Sequence, residues 1–335
     1  MYVGLDVSKK NIVCVGQDKE GNIVYEGTFG TTKEGIDGLI NSVGEDSSFA
    51  VEASTKGVFV YDCLAANNVA VQMVNPNRLR EIAESEKKTD REDAKVIAKH
   101  LRMNDLPTCY VPDKRTREVR DIIRQRKSMV EMRTMLKNKI RSILAREGID
   151  IPYTDILGDE ALLELDSIEL ENKVQEDALH RLVHLAGVLT GEIWDYDQKI
   201  EETYEVSKYA KLLDTIPGIS HYSAVHIASS IGDISRFPTH NELASYAGLA
   251  PIVRQSGDRR RDGGLKRKSD KQLRWILIQD AHSAVRRKGK LRKYYLKKVR
   301  RNGEQDAIVA IARKLVKIIH CMLTRGEPYS ENYGK

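Results

Sequence analysis

The chain has 335 residues, 41% of them hydrophobic and 31% charged, which is typical of a globular protein with two or three domains. No apolar run reaches the roughly 18 residues of a membrane span and no secretion signal opens the chain, so we expect a cytoplasmic protein with no membrane partner. The net charge of +6 is uneven: acidic residues concentrate in 155–205 and basic residues in 254–301, which indicates a polyanionic partner. The four cysteines form no CxxC pair and are expected to be reduced packing residues with no zinc site.

Short strands and helices alternate in the first third of the sequence. Alternating apolar residues predict a three-strand meander, and two later apolar runs predict buried parallel strands separated by helices. This order predicts a mixed sheet covered by helices. We expect strands at 2–6, 11–17, 22–29, 48–52 and 69–74, and helices at 32–43, at 58–67 and from Pro76 onward.

Acidic residues end two of these strands, Asp6 and Glu52, at the edge where open α/β sheets bind ligands. Two further carboxylates, Asp90 and Asp93, lie three residues apart on one face of a predicted helix. Four converging carboxylates repel one another and need a compensating cation, and Mg²⁺ accepts such an oxygen cage.

Two alternatives compete with this metal site. Asp90 and Asp93 also fit a solvated first helical turn that the helix dipole favours, with Lys88, Arg91 and Lys95 as compensating cations. The order strand–acid, strand–acid, helix–acid–x–x–acid is that of RNase H-like nucleases and resolvases. Sugar-kinase and actin-like ATPases also begin with such a strand, but they need a Gly-Thr phosphate hairpin, and the residues after Asp6 are Val-Ser-Lys-Lys.

Two long amphipathic helices are predicted after Pro112. Apolar residues recur at helical spacing over 115–147 and over 172–206, and Pro152 and Gly158 mark the connector between them. We expect an antiparallel coiled-coil arm, used for self-association or for reaching along an extended ligand. An ordinary helical bundle is the alternative.

The segment 211–232 predicts two helices joined by an Ile-Pro-Gly-Ile turn at 216–219. The backbone N–H groups of such a turn can contact a DNA phosphate, as in a helix-hairpin-helix motif, which makes Gly218 a candidate for nucleic-acid binding. A plain helix junction has the same residue pattern.

A glycine-rich and densely basic segment at 246–268 predicts a flexible strand or loop that contacts phosphates. Ser256 lies within it, before a glycine and beside arginines, as either a polar loop residue or a nucleophile for phosphoryl transfer. The candidates for nucleic-acid contact in and just after this segment are Arg254, Arg259, Arg260, Arg261, Lys266, Arg267, Lys268, Lys271 and Arg274.

The end of the chain predicts three further elements. A helix is expected over 269–286, followed by a strongly basic stretch over 286–301 with Tyr294 and Tyr295 interleaved. That density favours contact with a nucleic-acid backbone, although a solvated face has the same composition. An apolar helix over 305–323 is expected to lie in the core.

Several segments, taken in order, resemble the DEDD-type insertion-sequence transposases, serine recombinases related to the pilin-gene invertases. The resemblance covers nearly the whole chain. It departs in two places: Ser54 stands where a threonine is expected, and one serine precedes Gly257 where many relatives have two. The matching segments are GLDVSKK, VEAS, KKTDREDA, TIPGIS, YAGLAP, RQSG and KRKSDKQLR.

The resemblance implies an architecture of class α/β plus α. An RNase H/Holliday-resolvase-like (RuvC-like) mixed-sheet domain at 1–112 would hold Mg²⁺ through the four acids. A helical coiled-coil arm would follow at 113–206, and a mainly helical transposase domain with a helix-hairpin-helix-like turn at 207–335 would supply Ser256 as nucleophile. It also implies a homodimer or tetramer acting on donor and target DNA, guided by a structured bridge RNA, with Ser256 of one protomer meeting the acids of another.

The implied chemistry agrees with the residues present. A phosphoserine link retains the energy of the broken bond, so a strand can be rejoined without ATP, and the sequence has no Walker-type glycine loop. One alternative is a Holliday-junction nuclease that uses the four acids and water, with Ser256 incidental. Another is a catalytically silent RNA- or DNA-binding scaffold, against which the intact acids argue.

Overall fold

The computed structural model describes residues 1–331 and 333, apart from 76–77, 80–88, 257–258 and 266–268, and gives only the backbone of 251–256 and 259–265. The helix predicted to begin at Pro76 therefore lies outside the described residues, as does Lys88. The chain divides into two compact units, Met1–Pro112 and Asp113–Lys335, and each has its own hydrophobic cores.

The first unit contains a mixed five-stranded sheet, which confirms the sheet predicted from the strand order. The strand order is β3-β2-β1-β4-β5. Strand β1 is antiparallel to β2, and β2 to β3, while β1, β4 and β5 are parallel. The strands are β1 (Tyr2–Val7), β2 (Asn11–Gln17), β3 (Ile23–Gly30), β4 (Ser48–Glu52) and β5 (Ala70–Val74).

Helices cover both faces of this sheet. Helices α1 (Lys33–Val43) and α2 (Gly57–Ala66) share a core with Leu5 and Val51, which lie on one face of the strands. Helix α3 (Asp90–Met103) packs on the other face, where its apolar side chains share a core with Ala50. Because side chains alternate along a strand, residues 4 and 6 of β1 belong to the face that α3 covers.

Two long helices, α4 (Lys114–Arg146) and α6 (Lys173–Val206), pair side by side in the second unit. Arg126 forms a bidentate ion pair with Asp197. Farther along α4, the Arg133 guanidinium donates a hydrogen bond to the Thr190 hydroxyl at 3.3 Å. As residue numbers increase along α4, the residue numbers of the partners on α6 decrease, so the two helices are antiparallel. A short helix, α5 (Asp159–Asp166), packs with their distal ends.

The apolar stripes of α4 and α6 are divided between two cores. Leu136 and Ile140 of α4 pack with Leu179 of α6 in the distal core. Ile123 and Ile200 instead belong to the core of the compact helical region that follows. The part of α4 around Ile123, which the sequence interpretation included in the arm, therefore packs against the core of that helical region.

The helical region is organised around its last helix, α12, whose buried face includes Leu315 and Ile319. The basic segment 286–301 contributes a helix, and the glycine-rich segment, predicted as a flexible strand or loop, contributes an antiparallel hairpin. Among the described residues, no helix is both long and apolar enough to cross a membrane. The elements are α7 (Lys208–Asp214), α8 (His221–Ile231), a 3-10 turn (Ile234–Arg236), α9 (His240–Tyr246), β6 (Pro251–Ser256), β7 (Arg259–Leu265), α10 (Lys271–Arg286), α11 (Lys290–Asn302) and α12 (Glu304–Arg325).

Candidate active site at the edge of the sheet

Asp6 and Glu52 lie at the same level on neighbouring parallel strands. The register pairs Leu5 of β1 with Val51 of β4, and each acid is the next residue of its strand. Leu5 and Val51 point into the core under α1 and α2, so alternation places both acids on the face that α3 covers.

Helix α3 brings two more carboxylates to this edge. Gly4 of β1 lies against Ala94 and Ala98, so the helix starts near the carboxyl end of the strand. Its first turn contains Asp90, Glu92 and Asp93, and the Thr89 hydroxyl caps it by accepting the Glu92 N–H at 3.3 Å. Acids in a first helical turn are favoured by the helix dipole, which partly offsets the repulsion between them.

The pKa of Asp6 is affected by the other three acids. It is raised to about 6, first because the carboxyl is partly buried, and then because Glu52, Asp90 and Asp93 repel its negative charge. A backbone hydrogen bond at Val7 acts in the opposite direction. The structure thus brings the four predicted acids into one electrostatic cluster, and Asp93 is only 6% exposed within it.

Of the three cations proposed to compensate this cluster, the two that the structure describes, Arg91 and Lys95, are paired with other acids. The Arg91 guanidinium donates to both carboxylate oxygens of Glu26 on β3, with its shortest contact at 2.6 Å. Lys95 pairs with Glu92 at 3.6 Å. The ion pair of Arg91 with Glu26 therefore fastens the first turn of α3 to the sheet.

An all-oxygen donor set with mutual repulsion is the kind of site that hard divalent cations occupy. As the carboxylates stand, no three or more His, Cys, Asp or Glu side chains in the described part of the chain are arranged to hold an ion. The donor chemistry of the cluster fits Mg²⁺, while its geometry requires the carboxylates to turn toward a common centre.

The hairpin formed by β6 and β7 contains the predicted nucleophile. Ser256 ends β6 and pairs with Arg259 across the hairpin, and Arg254 pairs with Arg261. The side chains of these residues, and of Arg260, are outside the described set. Lys266, Arg267 and Lys268 lie entirely outside it, so the roles predicted for these residues remain predictions.

Gly218 has a structural role in the turn between α7 and α8. Its φ of +103° lies in the region that favours glycine, and a Cβ there would lie 2.6 Å from the Ala284 nitrogen of α10. The turn therefore packs directly on the α10 backbone. This contact accounts for the glycine without a phosphate, and its predicted contact with nucleic acid remains a prediction.

The two basic candidates on α10 differ in their surroundings. Lys271 is exposed, in the first turn of the helix. Arg274 is half-buried, and its guanidinium donates to the Ser269 hydroxyl at 3.1 Å, just beyond the end of the hairpin. The guanidinium of Arg274 is therefore engaged by Ser269, whereas Lys271 faces solvent.

The sequence interpretation did not identify Gly4, the residue that allows α3 to pack closely against the sheet. Any side chain at Gly4 would collide with the α3 backbone, so this glycine sets the position of Asp90 and Asp93 relative to Asp6. A glycine inside an otherwise apolar strand is a known indication of close backbone approach, and it was available in the sequence.

Comparisons with known proteins find two transposase families that match separate parts of the chain. Residues 3–148 match the DEDD transposase family of IS110 type, described as a transposase family. Residues 210–296 match the transposase IS116/IS110/IS902 family. The first match covers the sheet, α3 and all of α4, and the second covers the helical region from α7 to α11.

Three relatives illustrate the similarity. The chain is 25% identical to an uncharacterized 44.8 kDa protein of insertion element IS116 from Streptomyces clavuligerus, over 96% of this chain and 94% of that protein. It is 25% identical to the transposase for insertion sequence element IS1111A from Coxiella burnetii, over 98% and 90% of the two chains. It is 28% identical to a pilin gene-inverting protein from Moraxella bovis, over 78% and 74%.

Proposed function

Because the chain belongs to the IS110-type insertion-sequence transposases, we propose that it is a DNA transposase that cuts DNA strands and rejoins them to new partners. The observation that carries the proposal is the electrostatic cluster of four carboxylates at the edge of the sheet. Burial of the Asp6 carboxyl, and then repulsion by Glu52, Asp90 and Asp93, raises its pKa to about 6. A cluster of carboxylates whose described neighbours Arg91 and Lys95 are paired with other acids suits a divalent metal, and DEDD transposases are expected to use one, typically Mg²⁺.

In this proposal Asp6, Glu52, Asp90 and Asp93 hold Mg²⁺. A bound Mg²⁺ supplies charge stabilisation for the phosphate that is cut. Gly4 and the ion pair of Arg91 with Glu26 keep the first turn of α3 beside the strand ends, where two carboxylates from the helix and two from the sheet would hold the ion.

The proposed nucleophile is Ser256. Its oxygen attacks the phosphorus of a DNA strand, a phosphorus–oxygen bond of the strand breaks, and the released end takes up a proton to become a hydroxyl. An acid of the first unit accepts the serine proton. A hydroxyl from another strand then attacks the phosphorus of the phosphoserine, and the bond from phosphorus to the Ser256 oxygen breaks. The proton of that hydroxyl passes to Ser256, which is restored, so no ATP is consumed.

This mechanism requires Ser256 to reach the acids, which we propose happens between protomers of a dimer or tetramer. The arm formed by the distal parts of α4 and α6 is the proposed self-association element. Its deletion should leave a monomer by light scattering, and a deletion variant that still forms the wild-type oligomer would show that association uses another surface. A structured guide RNA that selects donor and target is part of the same proposal, and a discrete RNA should co-purify with the protein.

The experiment that tests the reaction compares Ser256→Ala and Asp6→Ala with the wild type on DNA of the element's ends. The wild type should yield a protein–DNA adduct on a denaturing gel, and both variants should lose the adduct and strand cleavage while keeping their fold. If Ser256→Ala cleaves at the wild-type rate and Asp6→Ala does not, the protein is a nuclease that uses water. If metal-dependent cleavage is absent from the wild type, a binding scaffold is the better description.

A further inference from the structure

Trp275 is a large aromatic residue on the surface of the helical region, and the reaction proposed above does not use it. It lies in the second turn of α10 and is 46% exposed. Neighbouring positions such as Leu273 and Ile276 are buried in the core, so the helix itself is well anchored. An exposed indole on an anchored helix is a rigid platform.

The exposed face of α10 that carries Trp275 has a cation at each end, Lys271 and Arg286. At helical spacing, the same exposed face of α10 carries Lys271, Gln279, His282 and Arg286. The helix contains one acidic residue, Asp280, and that residue is 3% exposed. No acid of α10 therefore reaches solvent on this face, which suits an anionic partner.

Helix α11 extends the basic surface. The Arg292 guanidinium donates to the carbonyls of Val285 and Arg286 at 3.1 and 3.2 Å, which joins the start of α11 to the end of α10. The 13 residues of α11 contain no acid and several exposed cations, among them Lys293, Lys297 and Arg300. The cationic surface thus continues beyond the end of α10.

The interleaved tyrosines of α11 do not supply an open aromatic face. Tyr294 and Tyr295 are partly buried and pack against the helical core. The Lys314 ammonium, 4.7 Å from the Tyr294 ring centroid, already lies over that ring. Trp275 is therefore the aromatic side chain of these two helices that is most open to a ligand.

We propose that the exposed face of α10 binds an unpaired strand of nucleic acid, with a base stacked on Trp275 and phosphates held by Lys271 and Arg286. The inference rests on the proposed function, in which cutting and rejoining leaves DNA strands unpaired. In a duplex the faces of the bases are covered by their neighbours, whereas an unpaired base is free to stack on an indole. Lys271 and Arg286 are about 22 Å apart along the helix, which spans a short run of nucleotides.

Tryptophan fluorescence tests the stacking directly, because Trp194 and Trp275 are the two tryptophans in the chain. Trp194→Phe leaves Trp275 as the single reporter, and its emission should be quenched by an unpaired oligonucleotide. Trp275→Phe leaves Trp194, which is 62% exposed on α6 between Ile193 and Asp195 and should not respond. The assay compares single-stranded DNA, RNA of the same sequence and the DNA duplex. The nucleic acid that quenches the emission of Trp275 identifies the source of the unpaired base.

Binding affinity supplies the second readout. Trp275→Ala should weaken single-strand binding about 10-fold and duplex binding much less, since a stacked base contributes about 1–3 kcal/mol. Trp275→Leu keeps apolar area without an aromatic face and should behave like Trp275→Ala, while the matched surface control Trp194→Ala should bind as the wild type does. Thermal unfolding of each variant checks that the fold is retained.

Three results would overturn the inference: no quenching of Trp275, wild-type affinity in Trp275→Ala, or wild-type affinity in Trp275→Leu. If Trp275→Ala lost affinity equally for single strands and for duplexes, stacking on an unpaired base would also be rejected. These results leave the proposed transposase intact if Ser256 still forms its adduct. A wild-type chain that binds no nucleic acid in any form would reject both.

Discussion

Gly4 of β1 lies so close to Ala94 of α3 that a Cβ atom at Gly4 would stand 2.0 Å from the Ala94 carbonyl oxygen. A shift of α3 away from β1 would also displace Asp90 and Asp93, which lie in the first turn of the helix. We therefore expect Gly4→Ala to destabilise the first unit by about 2–4 kcal/mol, as severe overpacking does, and to abolish strand cleavage even below the temperature of unfolding. Chemical denaturation and a cleavage assay on the same preparation measure the two effects.

Gly187→Ala on α6 is the matched control. No atom lies within 4 Å of a Cβ at that position, and alanine is the better helix former by about 1 kcal/mol. This variant should be as stable as the wild type or more so, with unchanged cleavage. A Gly4→Ala protein with wild-type stability and activity would mean that α3 is not held against β1 in the working enzyme.

Asp280 should make the stability of the helical region depend on pH. It is 3% exposed, and burial raises its pKa from 3.8 to about 7, against the effect of a hydrogen bond with Ser223. Because the folded pKa is the higher one, the protonated acid stabilises the fold fully below about pH 4. That contribution is lost as the pH rises through about 7.

Asp280→Asn removes the buried charge, so it should raise the free energy of unfolding at pH 8, by an amount on the order of 2 kcal/mol, and have a smaller effect at pH 5. Denaturant titrations at the two pH values measure the difference. Asp306→Asn, at an exposed site in the first turn of α12, serves as the control and should not show this pH dependence. If both variants respond to pH alike, Asp280 does not titrate in the folded protein.

Local sequence patterns predicted the elements of the first unit well. Strands β2 and β4 have the predicted bounds, and α1 begins after Thr32, whose hydroxyl accepts the Gly35 N–H at 3.1 Å. Alternation of apolar residues and a capping residue are local signals, so one sequence is enough to read them. The position of Asp6 and Glu52 at the carboxyl ends of two predicted buried strands placed both acids at one edge of the sheet.

Contacts between distant residues were not predictable in this way. Arg91 lies 65 residues after its partner Glu26, and Arg126 lies 71 residues before Asp197. The burial of Tyr294 depends on how α11 packs on α12, and a basic stretch with interleaved tyrosines does not reveal it. Each of these depends on the path of the chain between the two partners, which periodicity alone does not determine.

Divalent cations should stabilise the first unit through the carboxylate cluster. At 10 times the dissociation constant, bound Mg²⁺ or Mn²⁺ should add about 1.4 kcal/mol to the free energy of unfolding. Asp6→Asn and Asp93→Asn should lose this increase, whereas Asp37→Asn, on the exposed side of α1, should keep it. Thermal unfolding with and without the metal measures the shift. An equal shift in all the variants would assign the metal to another site.

Nucleic-acid binding should weaken steeply as salt is added, because α11 and the exposed face of α10 are rich in cations. Each phosphate contact on duplex DNA contributes about 0.9 to the slope of log K against log salt. Lys293→Gln combined with Lys297→Gln should therefore lower the slope by up to about 1.8. Lys199→Gln, next to Tyr196 on α6, is the control and should leave the slope unchanged. A slope near zero in the wild type would mark α11 as a solvated face.

Helix α4 is anchored near Ile123 in the core of the helical region, and this affects how motion passes along the helix. The Arg120 guanidinium, near the base of this helix, donates to the Ser229 and Ser230 carbonyls at 2.8 and 2.9 Å, and Ile123 is buried beside it. From Ile123 to the tip at Arg146 the helix extends about 35 Å, whereas Arg120 lies only about 4.5 Å beyond Ile123 on the other side. If α4 turns as a rigid rod about Ile123, the two lengths stand in a ratio of roughly eight to one. A displacement of several ångströms at the tip then reaches the Ser229 and Ser230 carbonyls, at the end of α8, as a fraction of an ångström.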